Sequence, residues 1–266
     1  MPLELSRGGR RYGAFRDTPD HRDLGMTSAP LARAEVLPPS VDLENLCGPI
    51  RDQGAEGSCT AHAGVGMREF LYRYYAPYEK TPAESPIFSP AFLYYQERLL
   101  DGTLDQGDCG SYGRTCCRAL NQFGVCLESG EPYVPGQFNI APTAEQLAGA
   151  LQFKAGAYHR IANVQDMKSC LASGYVFAIG FTVFWSFENK IGWDGLWEPD
   201  ASREDVLGGH EVLVIGYDDS KQAFKVRNSW GPSWGASGNF WFRFSDAADT
   251  RILMDAWIQH LSGHWK

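Results

Sequence analysis

The hydrophobic pattern of this chain changes period at about Lys154, and that change limits what the chain can fold into. Before it, apolar residues recur at helical spacing. Ala63, Met67, Phe70, Leu71 and Tyr74 fall three and four residues apart and mark one face of a helix from Ser58 to about Tyr75. Ser58 is the expected N-cap, which sets Cys59 in the first turn. Further helices are expected around residues 90–100 (Pro90 at the start, Asp101-Gly102 past the end), 114–123 and 144–151. After Lys154 the apolar residues gather in short β-rich runs at 176–183, 211–217, 223–227 and 239–244, the middle two joined by the turn Asp218-Asp219-Ser220-Lys221. A helical lobe (about 40–153) followed by a sheet lobe (about 154–266) is an α+β architecture, and the cleft between two such lobes is the natural place for a site.

Residues 1–37 follow neither period. They are polar and rich in Arg, Asp, Pro and Gly, and read either as a disordered tail or as an extended arm. Tyr12, Phe15, Leu24 and Met26 are the anchors with which an arm would lie in a groove.

With 44% apolar residues among 266, the chain can bury one large core or two smaller lobes. A net charge of −8 argues against nucleic acid as a partner, since that binding needs clustered Lys and Arg. No apolar run approaches the ~18–20 residues needed to cross a bilayer, and the first residues lack the apolar stretch of a signal peptide. Cys47, Cys59, Cys109, Cys116, Cys117, Cys126 and Cys170 make an odd total, so one stays free even if the rest pair. Buried reduced thiols in a cytosolic protein are the other reading, and a secreted or extracytoplasmic location is slightly favoured. No Cys/His spacing suits zinc; neither metal nor cofactor is expected, and a monomer is.

The chemistry concentrates in three segments. The run Pro49–Ala61 carries Gln53 six residues before Cys59. A thiol becomes a strong nucleophile only as a thiolate, and a helix N-terminus and a neighbouring imidazolium both lower its pKa. The first is local to Cys59. His210, expected just before a strand, supplies the second and a proton for a leaving group. Asn228, at the end of the next strand, offers a side-chain oxygen to fix the imidazole tautomer, and Trp230 would shield that bond from water. The side-chain NH₂ of Gln53 and the backbone N–H of Cys59 are the donors available to a developing oxyanion. His62, one turn into the helix, is the rival base, but the helix points it away from the thiol. Taken singly, each of these residues has an ordinary structural explanation. Their joint occurrence in the order Gln, Cys, His, Asn is much harder to reach by accident.

With these residues the chain resembles the papain-like cysteine peptidases. Gln53-Gly54…Gly57-Ser58-Cys59, His210 to Tyr217 and Arg227-Asn228-Ser229-Trp230-Gly231…Trp234-Gly235 match three motifs of that family, over a region from about Val41 to Phe244. The resemblance implies a two-lobed fold and a peptide or protein substrate. It also implies Cys59 as nucleophile, His210 as acid and base, Asn228 as the orienting residue and Gln53 as oxyanion donor. Gly110-Ser111-Tyr112 resembles the segment whose backbone pairs with substrate, and Gly209 and Trp230 are further expected substrate contacts. Glu56 stands where the family has a half-cystine, Thr60 where it has Trp, and Glu211, after the histidine, is expected to face solvent. With only a short segment before Leu37, the chain resembles most the bacterial members of the xylellain type. An arm that crosses the cleft and restrains access is therefore expected. Acyl transfer to an amine, and a catalytically silent binding protein on the same fold, are the alternative functions.

Overall fold

The computed structural model describes residues 4–6, 8–25, 36–75 and 85–261; Met26, one expected anchor, lies outside them. The helices α1 (Cys59–Tyr75), α2 (Pro90–Asp101), α3 (Gly113–Gln122) and the short α4 (Ala144–Ala150) come before all but one strand of the main sheet. Pro90 fills the first turn of α2, where its missing N–H costs nothing, while the Ser89 hydroxyl accepts the Phe92 N–H at 3.1 Å. Gly102, with φ of 68°, closes the other end in a conformation that favours glycine. Ser58 departs from its expected role. Its carbonyl accepts the His62 N–H, but its hydroxyl meets the Tyr133 hydroxyl at 2.8 Å instead of a helix N–H.

Two short strands, β1 (Ala14–Phe15) and β3 (Ser111–Tyr112), pair in parallel. The remaining strands are β2 (Ser40–Asp42), β4 (Ala155–Arg160), β5 (Phe177–Phe184), β6 (Val206–Asp218), β7 (Ala223–Arg227), β8 (Asn239–Arg243) and β9 (Leu253–Leu261). They form one antiparallel sheet in the order β4-β9-β5-β6-β7-β8, with β2 added along β6. Strand β6 begins before the run at 211–217, because Gly208 and Gly209 pair with Val183 and Thr182 of β5. His210 therefore lies inside a strand, opposite Phe181, rather than ahead of one.

Alternation along β6 divides the core. Val212 and Val214 join Phe181, Phe224, Phe240 and Trp197 on one face. Leu213 and Ile215 turn to the other and meet Ala63, Met67, Phe70 and Leu71 of α1. The opposite side of α1, with Ala61 and Val65, packs on Phe92, Leu93 and Leu120 of α2 and α3. Each of the large apolar side chains among these contributes about 1.5–3 kcal/mol on burial. Helix α1 is thus clamped between both lobes, and its N-terminus, Cys59, opens at the seam between them.

Candidate active site

Cys59 is fully buried at the start of α1, and the backbone N–H groups of Glu211 and Gly13 point at its sulfur. Glu211 follows His210, so the strand that carries the imidazole reaches the thiol. The His210 Nε2 lies 2.8 Å from the Asn228 Oδ1, and Trp230 stacks on the imidazole with ring centroids 5.0 Å apart. Among the described residues Nδ1 makes no hydrogen bond. An imidazole held at Nε2 by an acceptor carries its proton there, which leaves Nδ1 able to receive another. Gln53 is clamped from three sides: its N–H and Oε1 bond Ser229, and its Nε2 donates to the Glu56 carbonyl at 2.7 Å. One N–H of that amide is spoken for, and the second has no acceptor among the described residues.

Hydrogen bonds brace the loop before Cys59. The Asp108 carboxylate accepts the Gly57 N–H at 2.9 Å and the Tyr94 hydroxyl at 2.6 Å, and buried Glu56 accepts the Gly136 N–H at 2.8 Å. The Thr60 hydroxyl donates to Glu97 at 2.5 Å. None of the seven cysteines is bonded to another. His62 is turned into the helical lobe, its Nδ1 3.0 Å from the Ser58 carbonyl.

Glu211 corrects an expectation. It is 2% exposed and not in solvent, because β6 is covered on one face by helices and on the other by the aromatic core. Desolvation, reinforced by Asp255, Asp17 and Glu97, pushes its carboxyl well above the usual range.

Residues 10–17 lie against the same groups. The Arg10 guanidinium sits 4.3 Å over Trp230, and Tyr12 sets its ring edge to His210 at 6.3 Å while its hydroxyl bonds Glu188. The Gly13 carbonyl accepts the Ser111 N–H at 2.8 Å. No side chain fits at Gly13 or Gly110: a Cβ on the first would overlap the Gly57 carbonyl, and on the second the Gly13 carbonyl. Gly209 is likewise bare where the Ala14 carbonyl approaches. The Ser111 side chain turns away to Asp101 at 2.7 Å, and the Tyr112 ring meets that of Phe15 at a tilt, centroids 5.4 Å apart. Under this cover burial pushes the Cys59 thiol up to about 12 and His210 down to about 4, so both groups are neutral.

Of the expected site residues, Cys59, His210, Asn228, Trp230 and Gln53 converge on one end of α1 and β6, and Gly110, Ser111, Tyr112 and Gly209 frame the groove beside it. Gly13, Asp108, Glu188 and Asp255 were not anticipated. No local pattern marks them, since each is defined by a partner far away in the chain.

The family model of the papain family cysteine proteases matches residues 37–259. The chain belongs to that family. This papain-family protease is 30% identical to an uncharacterized peptidase C1-like protein of Acanthamoeba polyphaga mimivirus, over 96% of its own length and 88% of the relative's. It is 26% identical to cathepsin C of Schistosoma mansoni, spanning 50% of that protein. Among solved structures, xylellain, a cysteine protease from Xylella fastidiosa, superposes with a TM-score of 0.83 at 30% identity, covering 94% of this chain and 96% of that one. A digestive procathepsin L 3 from Tenebrio molitor larval midgut, at 19% identity and a TM-score of 0.69, shares the fold.

Proposed function

We propose that this protease is an endopeptidase that works through a Cys59 thioester. The observation that carries the reading is the His210–Asn228 bond, sealed by Trp230, on the strand whose next N–H reaches the Cys59 sulfur. The thiol proton passes to Nδ1 of His210, and the thiolate attacks the substrate carbonyl. The unspent N–H of Gln53 and the Cys59 backbone N–H hold the oxyanion; losing one such donor typically costs about 100- to 1000-fold in rate. His210 then protonates the departing amine, and afterwards takes a proton from the water that hydrolyses the thioester.

The N-terminal arm restrains this chemistry. Support comes from Tyr12 and Gly13, which fill the space against His210 and Gly57, and from the neutral thiol and imidazole beneath them. Moving the arm readmits water, and solvation favours the thiolate–imidazolium pair. Gly13→Val tests both readings, since the added side chain cannot fit against Gly57 and unseats the arm without altering the reacting groups. Mass-spectrometric labelling of Cys59 by an epoxysuccinyl inhibitor, and casein hydrolysis, are expected to run at least about tenfold faster than in the wild type, as expected if the arm's grip is worth about 1.4 kcal/mol or more. Equal rates would remove the arm from the account; cleavage that survives Cys59→Ala would remove the thioester.

A further inference from the structure

Glu211 and Asp255 flank Gly180 in the sheet, one on each neighbouring strand, in direct register. Residues in such a row project from the same face. With no side chain on Gly180, the two carboxylates close over it. A Cβ there would lie 2.9 Å from the Asp255 Oδ1 and 3.4 Å from the Glu211 Oε2. The opposite wall is also bare: a Cβ on Gly113, at the start of α3, would lie 2.8 Å from the Glu211 Oε1 and 2.9 Å from the Trp257 ring. Two glycines and an indole thus frame a pair of acids.

Among the described residues no cation forms an ion pair with either acid. Glu211 and Asp255 are 2% and 4% exposed, and among the described residues neither the Glu211 Oε2 nor the Asp255 Oδ1 has a hydrogen-bond partner. The arginines whose charge reaches Asp255, Arg160 and Arg16, make their close contacts elsewhere, as does Arg114: Arg160 lies 3.6 Å from Asp23. Arg114 bonds Asp23 at 2.8 and 2.7 Å, and Arg16 donates to the carbonyls of Thr250, Leu253 and Met254. Burying carboxylates without a counter-charge is costly, and a core residue of another type would avoid that cost.

The cover over the pair is the arm. The Asp17 N–H donates to the Asp255 Oδ2 at 3.2 Å, and Ala14 packs on Cys59 and Met254. The acids therefore lie beneath the stretch that continues from Gly13, the residue set against Cys59. What the arm lays over them at Asp17 is a third carboxylate, so the arm covers the acids without neutralising them.

We infer that Glu211 and Asp255 floor a pocket beside Cys59 that takes a cationic side chain of the peptide substrate, Arg above Lys, once the arm has moved. The inference rests on the peptidase reading and names its substrate class. A guanidinium offers a planar fork to two adjacent carboxylates, whereas an ammonium offers a point charge. A substrate carrying Arg gains charge-assisted bonds that the arm cannot make.

The test uses full-length Gly13→Val and peptide libraries randomised at each of the four positions on the acyl side of the cleaved bond. At one position Arg is expected to exceed Leu at least about tenfold in kcat/KM, and isosteric Glu211→Gln or Asp255→Asn, made in the same background, is expected to lower that Arg-to-Leu ratio at least about tenfold. Against loss of folding in those variants, a second measurement needs only Gly13→Val: the rate at which epoxysuccinyl peptides bearing Arg or Leu label Cys59. Preference for Leu or Phe at every position, or a ratio indifferent to both substitutions, overturns the pocket while leaving the peptidase standing. Absence of both cleavage and labelling overturns the peptidase reading, and the pocket with it.

Discussion

Asn228 sits one residue past β7 with its Oδ1 shared between the His210 Nε2 and the Ser229 N–H, both at 2.8 Å. Its Nδ2 has no partner among the described residues, so the side chain is kept for its oxygen. Asn228→Ala removes the acceptor but leaves Trp230 stacked on the ring. Losing a hydrogen bond to a group that becomes charged costs about 1.5–3 kcal/mol, so kcat is expected to fall about 10- to 100-fold with KM little changed. Steady-state kinetics beside a thermal melt check this, and an unchanged kcat removes Asn228 from the mechanism. That Gln53, Cys59, His210 and Asn228 come together was legible because the pattern is written in residue type and order. Glu211 was not, although a signal existed: residues 212–215 are uninterrupted apolar, the mark of a strand buried on both faces. In such a strand an acid has no solvent side to turn to.

Helix positions were legible from periodicity and caps, since α2 runs from the proline to the residue before the glycine that stops it. Strand β6 was read short because Gly208-Gly209 carries none of the apolar or β-branched signal of a strand. Those glycines instead let another segment approach: a Cβ on Gly208 would lie 2.6 Å from that of Tyr12. Only the long-range partner explains the residue type. Helix α3 shows the same dependence, for its N-terminal region is held by residues of the arm. The Asp17 carboxylate accepts the Arg114 N–H at 2.9 Å and the Trp257 indole N–H at 3.0 Å, a favourable place for an acid at a helix start. Arg114 in turn grips Asp23 with two bonds and the Thr18 carbonyl at 2.7 Å. Arg114→Ala cuts this tie far from the reacting atoms. Basal peptidase activity is expected to rise about tenfold, the effect of about 1.4 kcal/mol on the closed state, with faster tryptic cleavage at Arg22. Lower or unchanged activity in a folded variant would show that α3 does not hold the arm.

At the scale of the whole molecule, closing the arm over the acids links its position to pH. Desolvation first, then Asp17, raises Asp255 to about 7; desolvation also raises Glu211 and Asp17. Arg114 and Arg160 oppose the shift at Asp17, Arg160 and Arg16 oppose it at Asp255, and Glu97 adds to it at Glu211. An acid whose pKa is raised by closure favours the closed form at low pH. That contribution is complete below about 4, the ordinary carboxylate value, and for Asp255 is lost as pH rises to about 7, with Glu211 extending the loss higher. His210 works the other way. Its lowered pKa, about 4 against an ordinary value near 6.5, penalises closure as pH falls across that interval. Two or three acids outweigh one imidazole, so the arm is expected to loosen as pH rises from 5 to 8. Hydrogen exchange of residues 11–17, corrected for intrinsic exchange, reads this directly. Protection should fall at least about tenfold across that range, and the fall should shrink in Asp255→Asn, where one of the linked protons is gone. Protection that is flat or rises with pH would mean that the buried acids do not govern the arm.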